Sequence, residues 1–413
     1  MISRRKVLGS AAGLALAPAL AKAAVPEAAP VNLAALAKPI GPEERAARLA
    51  KVQSLMQAAG IGALLVEPGS SLVYFTGVQW WRSERLTAAL IPADGEVTVV
   101  TPFFEAPSIR ESLAIPASIR TWDEHENPLV LVADWLREKQ LTSKPVAMEE
   151  TVRHFITDGL QKALPGVSVV NGAGVVRGCR MHKTAAEIAL MKIAADITVG
   201  AFRAVGAQVR KGMTPDDINA LIISETAKRG GKGGDALVLL GEASAYPHGS
   251  GKPQEVRDGE VILMDGGCSV HGYVSDISRT FVFGEPTKRQ RDVWAQVRQG
   301  QQMAFEAAQI GTACGAVDDA VRGWYEKIGY GPGYGLPGLS HRTGHGIGMD
   351  GHEPVNLVHG EATPLAEGMC FSNEPGLYIP GSFGIRLEDC FHMTAKGPEW
   401  FSVPPPSIDK PFG

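Results

Sequence analysis

The 413-residue sequence contains no Cys-x-x-Cys pair, no block of lysine and arginine, and no apolar run long enough to cross a bilayer. Each absence closes a class. Without paired cysteines at metal-ligand spacing, a structural zinc site is excluded. With 40 basic against 44 acidic residues, a net charge of −4 and no basic block inside the chain, nucleic acid is not expected as a partner. The third absence excludes a membrane span. Five cysteines (Cys179, Cys268, Cys314, Cys370 and Cys390) form an odd set, so at least one stays unpaired in a monomer. Cys370 and Cys390 fall at near-opposed positions of an expected hairpin, close enough to pair, and the expectation for them is two reduced, buried thiols with a disulfide as the alternative.

What is present divides into two domains behind an export signal. Residues 1–23 carry Arg4 and Arg5 ahead of a short apolar stretch and the small-residue site Ala21-Lys22-Ala23. This resembles a twin-arginine signal and implies a periplasmic protein; an ordinary secretory signal is the alternative. Residues 24–42 are Ala/Pro-rich and are expected as a flexible linker. Residues 43–175 alternate helix-like and strand-like pieces, including a hairpin signal at Asp94-Gly95, and form an α/β domain without a catalytic constellation. Its conspicuous loop, Trp80 and Trp81 beside Arg82 and Arg85, fits either a packed aromatic loop or a lid or dimer contact. Residues 180–413 open with helical patterns, of which the second starts at Thr214-Pro215 with Asp217 at capping-box spacing.

The chemistry lies in the stretch from Val261 to Glu388. Asp265 ends an apolar run, Asp276 follows a glycine-containing turn, and the two can face each other across a hairpin. Glu374 and Glu388 flank a second hairpin, and the segment from His341 to Glu353 is rich in histidine. Four carboxylates on apolar segments require counter-charge. Two divalent cations balance them with one neutral histidine, and an oxygen-rich set with one imidazole suits Mn, Fe, Co or Zn. Two ions about 3.5–4 Å apart activate a water between them, which is hydrolytic chemistry. Arg386 precedes Glu388 by two positions and, on a strand, shares its face as a partner of that carboxylate.

The order of Asp265, Asp276, HisArgThrGlyHisGlyIleGly, GlyHisGluPro, AsnGluProGly and IleArgLeuGluAsp resembles the metallopeptidases of the Xaa-Pro aminopeptidase, prolidase and methionine aminopeptidase group. The resemblance covers about residues 180–400 and implies an α+β architecture. Its parts are a pita-bread catalytic domain and a smaller α/β amino-terminal domain similar to that of creatinase. It implies that Asp265, Asp276, His345, Glu374 and Glu388 hold two divalent ions, manganese first among them, with Asp276 and Glu388 bridging. Glu374 is implied as general base and His352 as donor to the scissile carbonyl. His248, His341, His352 and Arg342 are implied around the substrate, Arg342 either holding its carboxylate or supporting the loop. The implied reaction is removal of an amino-terminal residue from a small peptide, with proline next in line, by a homodimer. Three rivals remain. A metal-dependent lyase of the dimethylsulfoniopropionate-cleaving type resembles the same fold, and the other two are a hydrolase of a non-peptide amide and a non-enzymatic binding module.

Overall fold

The computed structural model describes residues 31–413; the expected export signal lies outside the described residues. The first domain is built from α1 (Pro42–Ala58), β1 (Ala63–Val66), α2 (Ser70–Thr76), β2 (Ala88–Pro92), β3 (Val97–Pro102) and α3 (Ala106–Ser112). It continues with β4 (Ala117–Trp122), α4 (Pro128–Glu138), β5 (Val146–Met148), α5 (His154–Ala163), β6 (Val169–Asn171) and α6 (Ala173–Arg180). Pro42 at the first turn of α1, with Glu43 and Glu44 beside it, suits the donor-rich helix end. The strands make one mixed six-stranded sheet in the order β4-β3-β2-β1-β5-β6. Asp94-Gly95 turns β2 into its antiparallel partner β3, with Gly95 at φ +95°, the left-handed region glycine tolerates.

Two expected boundaries move. Residues 32–40 do not behave as a linker: Leu33 donates its N–H to the Arg229 carbonyl, and Leu33, Ala34, Ala37 and Ile40 pack against buried residues of the second domain. Enough apolar side chains recur in this stretch to repay ordering it, which the Ala/Pro count alone conceals. The first domain also runs past 175. Val175, Val176 and Cys179 of α6 enter the same core as Leu64, Val66 and Phe75.

The second domain begins with α7 (Ala185–Gly206), α8 (Pro215–Lys228), β7 (Lys232–Leu240), β8 (Val261–Val270), β9 (Tyr273–Val274) and β10 (Ile277–Val282). There follow α9 (Lys288–Ala307), α10 (Cys314–Lys327), β11 (Gly344–Gly346), β12 (Glu353–Leu357) and β13 (Cys370–Asn373). The chain closes with β14 (Gly376–Ile379), β15 (Phe383–Arg386), β16 (Asp389–Thr394) and β17 (Gly397–Trp400). Capping boxes start three of its helices: Thr184 with Glu187, Thr214 with Asp217, and Thr287 with Gln290. One sheet runs β10-β8-β7 with β9 on β8; the other runs β12-β11-β13-β16-β17, and β14 pairs with β15.

These sheets meet where the chemistry was expected. Asn373 pairs with Asp389 and Gly376 with Arg386, so Glu374 and Glu388 face each other at the neck of the β14–β15 hairpin. Ser278 of β10 bridges to Glu388 through both backbone groups, at 3.3 and 3.2 Å, and thereby brings the first sheet onto that neck. Glu374 donates its backbone N–H to Thr343, which joins the His345 strand.

Candidate metal centre

The two hairpins and the β11 strand enclose a cavity of about 480 Å³. His248, Asp265, Asp276, His341, Arg342, His345, His352, Glu374, Arg386 and Glu388 line it. All nine residues expected at the site therefore gather in one place, with Arg386 added. Their donor atoms form three overlapping triads, each within 4.8 Å: Asp265, Asp276 and Glu388; His345, Glu374 and Glu388; and Asp276, His345 and His352.

His345 is 1 % exposed, and its Nδ1 donates to the Gly346 carbonyl at 3.1 Å. That bond turns the Nε2 lone pair toward Glu374 Oε1 at 3.2 Å and Asp276 Oδ2 at 3.8 Å. A cation fits between these atoms. The hydroxyl of Ser278 makes the same point. It lies 2.8 Å from Asp265 Oδ1 and 2.7 Å from Glu388 Oε2, but one proton cannot serve both carboxylates.

The charge balance is unfavourable without cations. Burial first, then Asp276, Glu374 and Asp265, push the Glu388 carboxyl well above its usual range. Burial and Asp265 push Asp276 up to about 7. Glu374 goes the other way, down to about 2, because its bond to His345 and the nearness of His341 outweigh burial. His345 is raised against its own burial by Glu374 and Asp276. Four carboxylates so close cannot all be ionised beside one arginine and one imidazole, and an oxygen-rich set with a single nitrogen fits two divalent ions.

Arg386 corrects the sequence expectation. Its guanidinium pairs with Asp265 instead of Glu388, while Nε donates to Ser278 at 3.1 Å and Nη1 to Tyr378 at 3.0 Å. The strand alternation that predicted the Glu388 partnership ends at Arg386, since β15 stops there and β16 begins at Asp389. His341 is held by the Arg342 carbonyl and the Tyr378 hydroxyl, each at 2.7 Å, so its ring belongs to the wall of the cavity. His352 packs on His345 with ring centroids 4.1 Å apart; burial, then His345 and Arg342, lower its pKa. Arg342 is half-buried in the cavity wall, and its guanidinium makes no ion pair among the described residues.

Several supports escaped sequence reasoning because they join separate elements, one of them across more than a hundred residues. Asp389, directly after Glu388, pairs with the buried Arg279, which also donates to the Glu388 carbonyl at 2.7 Å. Asp318 on α10 accepts from Arg322 and from both the N–H and hydroxyl of Thr343, fixing the approach to His345. Cys370 and Cys390 are free thiols, as expected: the register sets Cys370 opposite His392 and Cys390 opposite Ser372. Trp80 and Trp81 stack at 4.5 Å, Trp80 bonding Glu105 while Trp81 stays exposed, and neither lines the carboxylate cavity.

Comparison with known proteins gives a consistent picture. Residues 189–395 match the model of metallopeptidase family M24, and residues 48–182 match the creatinase/prolidase N-terminal domain. An Xaa-Pro dipeptidase of Lactobacillus helveticus is 31 % identical over 361 residues, 86 % of this chain and 96 % of that protein. The structure of dipeptidase PepE from Mycobacterium ulcerans superposes with a TM-score of 0.81 at 30 % identity, covering 89 % of this chain and 98 % of that one. Prolidase from Thermococcus sibiricus gives a TM-score of 0.80 at 27 % identity with the same coverages.

Proposed function

The chain belongs to metallopeptidase family M24, and from that premise we propose that it is a dinuclear Xaa-Pro dipeptidase. The observation that carries this reading is the set of overlapping donor triads in one cavity. Asp265, Asp276, His345, Glu374 and Glu388 would hold two divalent ions, manganese foremost, and Asp276 and Glu388 each belong to two of the donor triads. When bound, two such ions supply Lewis acidity to the scissile carbonyl and acidify the water between them.

The side chains do the rest. Glu374, a cavity-lining carboxylate 3.2 Å from His345 Nε2, is placed to accept the proton of the attacking water. It returns that proton to the departing nitrogen. His352 donates to the carbonyl oxygen as negative charge develops there, and His248 closes the other side of the pocket. An Xaa-Pro bond lacks an N–H, and nothing in this arrangement requires one. The unpaired Arg342 guanidinium in the wall suits the carboxylate of a dipeptide, which favours dipeptides over longer chains. The names of the relatives, dipeptidases and prolidases, support the peptide substrate and do not favour a lyase.

Metal analysis of the purified protein, coupled to release of the amino-terminal residue from Xaa-Pro dipeptides and Xaa-Pro-Yaa tripeptides, tests this reading. Two equivalents of metal and faster release from dipeptides are expected. Metal-free protein with full activity would overturn it. Export through a twin-arginine signal and assembly as a homodimer belong to the same proposal. Arg4→Lys with Arg5→Lys is expected to retain the protein in the cytoplasm, and light scattering to give twice the chain mass.

A further inference from the structure

His352 stands at the open side of the cavity, yet its ring makes no hydrogen bond with the described residues. Its place must come from the segment that carries it. The next residue, Glu353, is 5 % exposed and accepts four bonds: from Lys183 Nζ at 2.9 Å, Arg180 Nη2 at 2.6 Å, Met349 N at 2.9 Å and Asp350 N at 3.2 Å. One carboxylate thus ties both ends of the short loop around His352.

Asp350, within that loop, accepts from Arg180 Nη2 at 2.7 Å and from the Ser70 hydroxyl. Two of these donors belong to the first domain: Ser70 opens α2 and Arg180 closes α6. Met349 packs against the cores of both domains. The fit is tight, since a Cβ on Gly348 would lie 2.7 Å from Lys183 Cε and 2.8 Å from Glu353 Oε1. The charges close on themselves: Arg180 and Lys183 face Glu353 and Asp350.

We propose that Ser70, Arg180 and Lys183, acting through Asp350 and Glu353, are positioning residues for His352, so that the first domain sets where the carbonyl-facing histidine stands. This rests on the peptidase reading above. It gives the first domain a share in catalysis although it contributes no residue to the cavity. Displacing a catalytic group by about 1 Å costs on the order of 100-fold in rate, so loosening a single outer tether should cost less.

The test uses the metal-loaded full chain with an Xaa-Pro dipeptide. Ser70→Ala removes one bond from a partly exposed residue and should leave the thermal midpoint and bound metal unchanged. It is expected to lower kcat about 3- to 10-fold, and Glu353→Gln about 10- to 100-fold, with KM within about twofold. In a His352→Ala background neither substitution should lower kcat further. Wild-type kcat in both variants, or losses that add fully to that of His352→Ala, would overturn the proposal. If Glu353→Gln does not fold, Ser70→Ala decides alone. A second measurement is independent of turnover: the side-chain NMR signal of His352 should move in Ser70→Ala while the other histidine signals stay. An unmoved signal overturns the inference even if the wild type releases no proline, a result that would count against the proposed function instead.

Discussion

Arg279 Nη2 lies 2.7 Å from Asp389 Oδ1, and both side chains are sealed from solvent directly behind Glu388. Asp389 also accepts from Gln301 at 3.1 Å and from the Ser402 hydroxyl, so the carboxylate is fully engaged. Removing one partner of such a pair leaves an uncompensated buried charge, at a cost of about 3–5 kcal/mol. Arg279→Met should therefore lower the thermal midpoint sharply, and metal affinity by about 10- to 100-fold through the loosened Glu388. Calorimetry and metal titration check both.

Asp276 and Glu388 share donor triads with the other ligands, so Asp276→Ala and Glu388→Ala should each lose bound metal and reduce dipeptide hydrolysis by more than about 100-fold. Either variant with two metals and wild-type turnover would refute the shared role.

Arg342→Leu separates binding from chemistry. A charge-assisted bond to a terminal carboxylate contributes about 1.5–3 kcal/mol, or roughly 10- to 100-fold in KM for an Xaa-Pro dipeptide. The kcat should change far less, and a dipeptide amide should be nearly indifferent to the substitution. Equal effects on the acid and the amide would leave Arg342 only a loop support.

Acid stability should depend on Glu353. Burial favours its neutral form, but Lys183 and Arg180 outweigh that and bring it from 4.5 down to about 2. A carboxyl with a depressed folded-state pKa stabilises the fold above its unfolded value, and the stabilisation is lost as pH falls through the folded one. The window thus runs from about pH 4.5 to about pH 2, with on the order of 3 kcal/mol at stake. Wild type should be more stable than Glu353→Gln at neutral pH and converge with it in acid. Parallel melting curves over that range would contradict the assignment.

The residues that gather in the cavity were largely legible in the sequence, because carboxylates at the ends of apolar strands carry their own electrostatic problem on their face. Asp265, Asp276, Glu374 and Glu388 stood out by order and strand periodicity, whereas His345 was singled out from its histidine-rich segment only by the family resemblance. Arg386 was legible as a neighbour but not in its partner, since alternation carries no information beyond the end of β15. Ser278, Arg279 and the Glu353 tethers were not legible, because each acts on a segment distant in sequence. The packed residues 32–40 were missed for a related reason: Leu33 and Ile40 are partly buried only because the core of the second domain lies beside them.

Glu374 and Glu388 are fourteen positions apart along the chain but adjacent at the neck of the β14–β15 hairpin, and the ladder beneath them, from Asn373–Asp389 to Cys370–His392, fixes their separation. The tip at Pro380, Gly381 and Ser382 has no part in that spacing. Extra residues spliced in there would lengthen the loop and leave the gap between the two carboxylates as it is. The enzyme therefore has a place where a reporter or a lid can be grafted without changing the spacing of these two carboxylates.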